Sequence, residues 1–248
     1  MTPHLSMDPT APALLVFAKT PELGRVKTRL ARSLGDELAL ELYRCFLADL
    51  VERLSAVPGV RMVVCQAGGG GDADQERAAL RELLPWAGEF AWQQGADLGE
   101  RMAAAMREML TTGAPKVLIV GADHPTMPSP AVHEGLSALD DAELVFGPAD
   151  DGGCYLIGAR TPCEEAFCGV EWGTPRVLEQ CLERAASAGL SAALLTEHSD
   201  VDDLADLTLL REDLLARGEA AARALCPRTW DFLQRDDVLP LVVRDTCV

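Results

Sequence analysis

The sequence predicts a single α/β domain, built on a mostly parallel open sheet with helices on both faces. Short apolar runs, of which 13–19 and 116–120 are the clearest, have the length and composition of buried strands. Segments with apolar residues at helical spacing lie between them. Strands that alternate with helices form parallel sheets, because each helix carries the chain back across the sheet. No internal repeat and no linker divides the chain, so one domain is expected.

The elements follow in a regular order. After the strand at 13–19, leucines and a phenylalanine recur every four residues from Leu38 to Leu54 and indicate an amphipathic helix. An acidic, glycine-rich turn within 147–158 joins two strands directly, which predicts a small antiparallel insertion. The remaining predicted strands are 60–65, 90–93, 116–120, 143–146, 155–157 and 191–195, and the remaining helices are 75–84, 98–109, 130–139, 175–188 and 204–217.

The domain is expected to span residues 13–217. The polar, proline-rich stretch 1–12 is predicted to be a disordered lead-in, since it has neither a basic start nor the apolar segment of a signal peptide. Residues 218–248 are predicted to form a C-terminal tail that packs on the same domain.

Composition excludes several classes of partner. The 248 residues carry 39 acidic and 22 basic side chains, a net charge of −17, which disfavours nucleic acid and anionic membrane surfaces. No apolar run approaches transmembrane length, so no membrane insertion is expected. The eight cysteines form no C-x-x-C pair and are predicted to be free thiols in a reducing cytoplasm.

One dense basic cluster stands out against this acidity. Lys19, Arg25, Lys27 and Arg29 lie within eleven residues that follow the first strand and precede a helix. Gly24 would let the backbone approach a ligand closely, and a helix N-terminus adds amide donors. The cluster therefore predicts a cradle for a di- or triphosphate; the alternative is a solvated basic turn that offsets neighbouring acids.

Acidic residues follow several predicted strands. Open α/β sheets bind ligands beyond the carboxyl ends of their strands, and this edge receives Asp123, Asp150 and Asp151. Asp123 is placed to hold Mg²⁺ or Mn²⁺, although a turn or a helix cap would also explain an aspartate there. Of Asp200 and Asp202, one could reach the metal and the other could cap the helix that begins near Leu204.

Two common enzyme classes find no support. No serine lies in a nucleophile-elbow context, which argues against a hydrolase triad. The first strand is not followed by G-x-G-x-x-G, so a dinucleotide-binding fingerprint is missing.

An ordered set of motifs between about 14 and 210 resembles a known family. The motifs are FAKTPELGRVKTRL, QQGADLGERM, GADHP, GPADDGGCYLIG, EWGTP and DVDDL. They are similar to bacterial glycosyltransferase-A-like proteins of the radical-SAM/selenodomain-associated transferase type, within the nucleotide-diphospho-sugar transferase superfamily. The resemblance implies a Rossmann-like glycosyltransferase-A fold. This chain departs from the pattern at His124, where a small residue is expected, and at Cys154, where an aromatic is expected.

The resemblance also implies roles for the matched positions. The donor would be a nucleotide or nucleotide-sugar, and the acceptor is unknown. Donor phosphates would be bound by Lys19, Gly24, Lys27 and Arg29; the nucleoside by Gln94, Gly95, Asp97 and Gly99; the metal by Asp123, with Asp202 as a possible second ligand; and the acceptor side would be bordered by His124, Asp150, Gly152 and Gly153. Asp151 and Lys27 are the predicted catalytic residues.

Three functions remain open on the sequence. The family label indicates glycosyl transfer from a nucleotide-diphospho-sugar. Asp123 stands alone rather than in an Asp-x-Asp motif, which resembles nucleotidyltransferases such as guanylyltransferases acting on a phosphorylated acceptor. A nucleotide-binding module without catalysis is the third.

Overall fold

The computed structural model describes residues 8–243, which form one seven-stranded sheet with helices on both faces. The strand order across the sheet is β3-β2-β1-β4-β6-β5-β7. The strands are β1 (Ala13–Lys19), β2 (Arg61–Ala67), β3 (Glu89–Trp92), β4 (Val117–Gly121), β5 (Leu144–Pro148), β6 (Cys154–Ala159) and β7 (Ala192–Leu194).

The helices connect these strands in the predicted alternation. They are α1 (Thr28–Leu34), α2 (Asp36–Ser55), α3 (Ala73–Leu83), α4 (Leu98–Thr111), α5 (Pro130–Asp141), α6 (Val177–Ser187), α7 (Leu204–Arg217), α8 (Glu219–Leu225), α9 (Pro227–Leu233) and α10 (Leu239–Val242). Most observed bounds lie within two or three residues of the predicted ones. The short helix α1 was not predicted as a separate element; Gly35, with a φ of 86°, ends it and lets α2 begin in a new direction.

The predicted mostly parallel sheet with an antiparallel insertion is confirmed. Strands β3, β2, β1 and β4 run parallel, and β7 is parallel to β5. β6 runs antiparallel to both neighbours, β4 and β5. Because β6 fits between them, the turn at 149–153 lies beside the carboxyl end of β4. This arrangement brings the acidic turn next to Asp123 in the same sheet edge.

Side-chain alternation along the strands divides the core into two layers. In β1, Leu14 and Val16 face one layer, while Ala13 and Leu15 face the other. The first layer includes buried residues of α2 and α5, and the second includes those of α4 and α6. The candidate site described below opens at the end of the second layer.

Residues 219–242 pack against the first two helices and α7. Trp230 and Leu233 of α9 join Phe46 of α2 and Leu214 of α7 in a third buried cluster. The fully buried carboxylate of Asp49 in α2 accepts a hydrogen bond from the backbone N–H of Thr229 at 2.8 Å. Residues 1–7 of the predicted lead-in and 244–248 of the predicted tail lie outside the described residues.

Within residues 8–243, no helix combines the length and the apolar character needed to span a membrane.

Candidate active site

A cavity of about 510 Å³ opens at the carboxyl ends of β1 and β4. The loops after these strands, the turn between β5 and β6, and the segment 172–174 form its walls. Its charged and imidazole lining comprises Lys19, Lys27, Arg101, Asp123, His124, Asp151 and Asp200. The topology thus gathers, from five separate segments, five of the predicted site residues, Lys19, Lys27, Asp123, His124 and Asp151, together with Asp200 and with Arg101, which was not predicted.

Lys27 is the central link of this cluster. Its φ of 46° is the only positive value among the described non-glycine residues, and its side chain is 3% exposed. Its Nζ lies 2.5 Å from Asp123 Oδ1, 2.6 Å from the Val201 carbonyl oxygen and 3.3 Å from Asp202 Oδ1. An ammonium has three donors, and these three oxygens account for all of them. In this arrangement Lys27 ties three loops together and has no donor left for a phosphate.

Asp123 is held ionised at the cavity wall. Burial alone would raise the pKa of its carboxyl group, but the charge and hydrogen bond of Lys27, together with the charge of Lys19, hold that pKa below its usual value. The side chain is nevertheless 49% exposed, and the exposed part faces the cavity. One oxygen is therefore fixed by Lys27, while the other is available to a ligand.

The pKa of Asp200 is shifted in the opposite direction to that of Asp123. Burial, followed by the negative charges of Asp123 and Asp151, raises the pKa of its carboxyl group to about 7, and Lys27 offsets only part of this effect. Asp200 lines the cavity, whereas Asp202 accepts contacts from Lys27 and Arg29 instead. The expectation that Asp200 or Asp202 caps the following helix is wrong: Asp203 caps α7 by accepting from the backbone N–H groups of Ala205 and Asp206.

Replacement of Asp200 by Asn should stabilise the ligand-free protein in a pH-dependent way. A raised pKa in the folded state means that stability is lost as pH rises from about 4 to about 7, because the unfolded chain releases the proton first. Asp200→Asn removes this penalty, so its melting temperature should exceed that of the wild type by roughly 2–6 °C at pH 8. The difference should nearly vanish at pH 4. An equal difference at both pH values would contradict the assigned cause.

The turn between β5 and β6 holds Asp151 in place. Its Oδ1 accepts a hydrogen bond from the backbone N–H of Gly153 at 2.8 Å. Gly152 has a φ of 84°, and a Cβ there would lie 2.1 Å from the carbonyl oxygen of Pro175. Its own carbonyl accepts from the N–H of Leu178 at 3.1 Å. The turn is therefore fastened to the start of α6, while the neighbouring Asp150 is exposed and does not line the cavity.

Gly152→Ala should disturb the contact between the β5–β6 turn and Pro175, and should cost more stability than a glycine substitution in open space. Both the positive φ and the backbone clash oppose a side chain, so the free energy of unfolding should fall by about 2 kcal/mol or more. Gly189→Ala is the matched control, because Gly189 has a φ of 75° but open space where the Cβ would lie. Its cost should be near 1 kcal/mol. Chemical denaturation of both variants measures the difference, and equal costs would show that the Pro175 contact is unimportant.

His124 is buried beside the acids. Burial and the neighbouring His198 lower the pKa of its imidazole to about 4, so the ring is neutral near pH 7. It packs against His198 and Tyr155, with ring centroids 5.4 and 5.7 Å away. Its ring nitrogens make no hydrogen bond within the described part of the chain. Both ring nitrogens are buried, so His124 shapes the cavity wall with its ring rather than presenting a hydrogen-bonding group to a ligand.

The residues predicted for the nucleoside pocket are placed differently. Gln94 borders a separate depression, and Asp97 caps α4 by accepting from the N–H of Glu100. Gly95 and Gly99 permit close packing, against the first turn of α4 and against Trp172 respectively. Their predicted role in nucleoside binding stays a prediction.

Gln93 lines the cavity, although the predicted nucleoside pocket included only its neighbour Gln94. Its Nε2 donates to the carbonyl oxygen of Cys65 at 2.8 Å, which fixes the amide over the ends of β1 and β2. The side-chain alternation of β3, counted one residue beyond the strand, could have distinguished Gln93 from its neighbour.

The three other residues of the predicted phosphate cradle, Gly24, Arg25 and Arg29, do not line the cavity, and Arg25 is 60% exposed and pairs with Glu22. Gly24 has a φ of 72° and forms the tight turn that only glycine adopts easily. Arg29 is 61% exposed and lies 3.4 Å from Asp202. Of the predicted cradle, Lys19 and Lys27 therefore reach the cavity wall.

A divalent cation would find part of its ligand set here. Among residues 8–243, no group of three or more His, Cys, Asp or Glu side chains is assembled closely enough to hold a metal. Mg²⁺, however, is commonly held by one or two carboxylates while substrate phosphates and water complete its shell. Asp123 and Asp200 fit that pattern, since both line the cavity and the charge of one raises the pKa of the other.

The chain is similar to one protein family and to several solved structures. Residues 50–174, half of the chain, match the profile of the DUF2064 family, described as uncharacterized proteins conserved in bacteria. No curated protein sequence matches the chain. A solved structure from Desulfovibrio desulfuricans G20, provisionally assigned as a nucleotide-diphospho-sugar transferase, is 35% identical. It covers 93% of this chain and 96% of its own, with a TM-score of 0.82.

More distant structures share the fold alone. A cytidylyltransferase from Leptospira borgpetersenii is 12% identical with a TM-score of 0.54, covering 96% of this chain and 99% of its own. A CMP:2-keto-3-deoxy-manno-octonic acid synthetase in complex with CTP is 14% identical with a TM-score of 0.51, covering 84% and 100%.

Proposed function

The chain belongs to the DUF2064 family, and we propose that it is a transferase that moves a glycosyl group from a nucleotide-diphospho-sugar to an acceptor hydroxyl. The observation that carries this proposal is the cluster of Asp123, Lys27 and Asp200 at the carboxyl ends of the sheet. It presents an ionised carboxylate to a cavity large enough for a nucleotide-linked ligand. The relative that shares 35% identity over nearly the whole chain supports the same donor class.

Asp123 and Asp200 are proposed to hold Mg²⁺ or Mn²⁺ together with the donor phosphates. Once bound, the cation would neutralise charge that develops on the leaving diphosphate. Asp200 is preferred to Asp202 as the second ligand, because Asp202 is engaged by Lys27 and Arg29 and does not line the cavity. Lys19, which ends β1 at the cavity wall, is proposed to contact the phosphates.

Lys27 is proposed to act as a positioning residue. Its three bonds fix the carboxylate of Asp123 and the loop that carries Asp200 and Asp202. Asp151 is proposed as the base that receives the proton. The acceptor oxygen forms a bond to the anomeric carbon of the sugar, while the bond from that carbon to the phosphate oxygen breaks. Its electron pair leaves with the nucleoside diphosphate, and the hydroxyl proton passes to Asp151.

Nucleotidyl transfer is the second candidate, favoured by one observation. Asp123 is followed by His124 and Pro125 rather than lying in an Asp-x-Asp motif. In that reaction an acceptor phosphate oxygen bonds to the α-phosphorus of a nucleoside triphosphate, and pyrophosphate leaves with the electron pair of the broken bond.

Product analysis separates the two reactions. The protein is incubated with Mg²⁺ or Mn²⁺ and either a panel of nucleotide-sugars or the four nucleoside triphosphates, in each case with a panel of hydroxyl and phosphate acceptors, and the released products are resolved chromatographically. Glycosyl transfer, or slow donor hydrolysis in its place, yields a nucleoside diphosphate and a free or transferred sugar. Pyrophosphate released from a triphosphate would instead establish nucleotidyl transfer. Release of neither product, with binding retained, would indicate a nucleotide-binding module without catalysis.

A cytoplasmic location forms part of the proposal. The seven cysteines within residues 8–243 are all free thiols, which suits a reducing compartment. The net charge of −17 supports a small-molecule ligand rather than nucleic acid.

A further inference from the structure

The cavity has two chemically different ends. The first lies at β2 and β3, where Ala67, Gln93 and Arg101 contribute polar side chains and backbone. The second, called here the β6 end, lies between β4, β6 and the start of α6. Its lining is mostly apolar and is formed by Ile119, Cys154, Ile157, Trp172 and Val177, with Thr174 as a polar neighbour. The Asp123 cluster lies between the two ends, because β1 and β4 separate β2 from β6 in the sheet.

Basic side chains line the cavity only away from the β6 end. Arg101 is directed toward the β3 side, where its Nε donates to the carbonyl oxygen of Gly95 at 3.2 Å. Lys19 ends β1, and the ammonium of Lys27 is fully engaged. Among the charged side chains that line the cavity, those nearest the β6 end are the carboxylates of Asp151 and Asp200, whereas Arg176 at the start of α6 lies outside the lining and pairs with Glu179. An anion bound there would lack a partner and would meet like charge.

The aromatic wall of the β6 end is already formed. Trp172 packs close to Gly99 of α4: a Cβ on Gly99 would lie 2.9 Å from the Trp172 Nε1. The rings of Trp172 and Phe167 have centroids 6.4 Å apart. The segment that follows is held by the contact between Gly152 and Pro175. A rigid indole beside aliphatic side chains is a surface on which an apolar ring or chain can pack at low entropic cost.

We propose that the β6 end is the acceptor subsite, and that the acceptor is an uncharged molecule with an apolar body and a hydroxyl group. This inference rests on the proposed function, since it concerns the second substrate of the same reaction. With the apolar body against Trp172, the hydroxyl lies toward Asp151. That carboxylate takes the proton as the oxygen bonds to the anomeric carbon and the nucleoside diphosphate leaves.

A matched pair of probes tests the proposed chemistry. 2-Naphthol and 2-naphthyl phosphate share one apolar body and differ in a charged group. Ligand-observed NMR titration with the full-length protein should detect 2-naphthol binding, with the phosphate at least about tenfold weaker. Trp172→Ala should weaken 2-naphthol binding by about tenfold or more, since it removes most of an aromatic contact. Trp92→Ala is the control and should leave binding unchanged, because Trp92 stacks with Arg77 outside this cavity.

Each outcome bears on the proposal. Equal or tighter binding of 2-naphthyl phosphate would overturn the assignment of an uncharged acceptor. If neither probe binds while a nucleotide-sugar still stabilises the protein in a metal-dependent way, the acceptor inference fails and the proposed function stands. If 2-naphthol binds through Trp172 but no nucleotide-sugar does, the role as acceptor subsite fails together with the proposed function. Should Trp172→Ala fail to fold, Leu98→Gln replaces it. Leu98 precedes the Gly99 that packs against Trp172 and lies on the exposed rim of the cavity, so the substitution should weaken 2-naphthol binding several-fold.

Discussion

Replacement of Asp123 by Asn is expected to lower turnover by about 100- to 1000-fold, because the amide cannot supply the negative charge that holds a cation beside the donor phosphates. The fold should survive, since Asn keeps the shape of the side chain and half of it faces the cavity. Steady-state rates with the donor identified by product analysis measure the effect.

The matched control for this variant is Asp140→Asn. Asp140 is 69% exposed and pairs with Lys116 on the far side of β4, away from the cavity. Its substitution should leave the rate within about twofold, because exposed ion pairs contribute little. If Asp123→Asn retains the wild-type rate, the carboxylate has no part in the reaction and the proposed metal ligand is wrong.

The second large effect is expected on stability, from Lys27→Met. The substitution removes a buried ammonium and leaves the carboxylates of Asp123 and Asp202 and the Val201 carbonyl without their shared donor. Breaking a fully buried pair costs about 3–5 kcal/mol. Asp123 is half exposed, which reduces the expected loss to about 1–3 kcal/mol. The melting temperature should therefore fall by about 3–10 °C.

Arg29→Met provides the comparison for this prediction. Arg29 contacts the same Asp202, but its side chain is 61% exposed, so its loss should lower the melting temperature by less than about 2 °C. A Lys27→Met protein that melts like the wild type but loses donor affinity would contradict the positioning role. That result would favour direct contact between Lys27 and the phosphates.

Periodicity and strand length were sufficient to predict most of the fold. The apolar runs around Val16 and Ile119 are buried on both faces, and such strands are nearly unmistakable when helices separate them. The acidic, glycine-rich turn at 149–153 was the feature that predicted the antiparallel strand. The position of β6 between β4 and β5 did not follow from the sequence, because strand order depends on contacts between segments far apart in the chain.

The sequence predicted which residues belong to the candidate site, but not which of them contact one another. The sequence placed Lys27 and Asp123 at one sheet edge but could not show that they bind each other, since 96 residues separate them. Asp200 and Asp202 lie two positions apart, and the family resemblance favoured Asp202 as the second metal ligand. Only the packing of Val201 toward Lys27 distinguishes them, by directing Asp202 to Lys27 and Arg29 and Asp200 to the cavity.

The most direct test of the central claim is a thermal-shift panel on the wild type and Asp123→Asn. Each nucleotide-sugar and nucleoside triphosphate is added with and without Mg²⁺ or Mn²⁺. A ligand at about 100 times its Kd stabilises a protein by about 2.7 kcal/mol, a shift of several degrees at this size. We expect a metal-dependent shift with one nucleotide-sugar for the wild type, and its loss in Asp123→Asn. No shift with any nucleotide-sugar, or an equal shift in both proteins without metal, would contradict a metal-assisted donor site at Asp123.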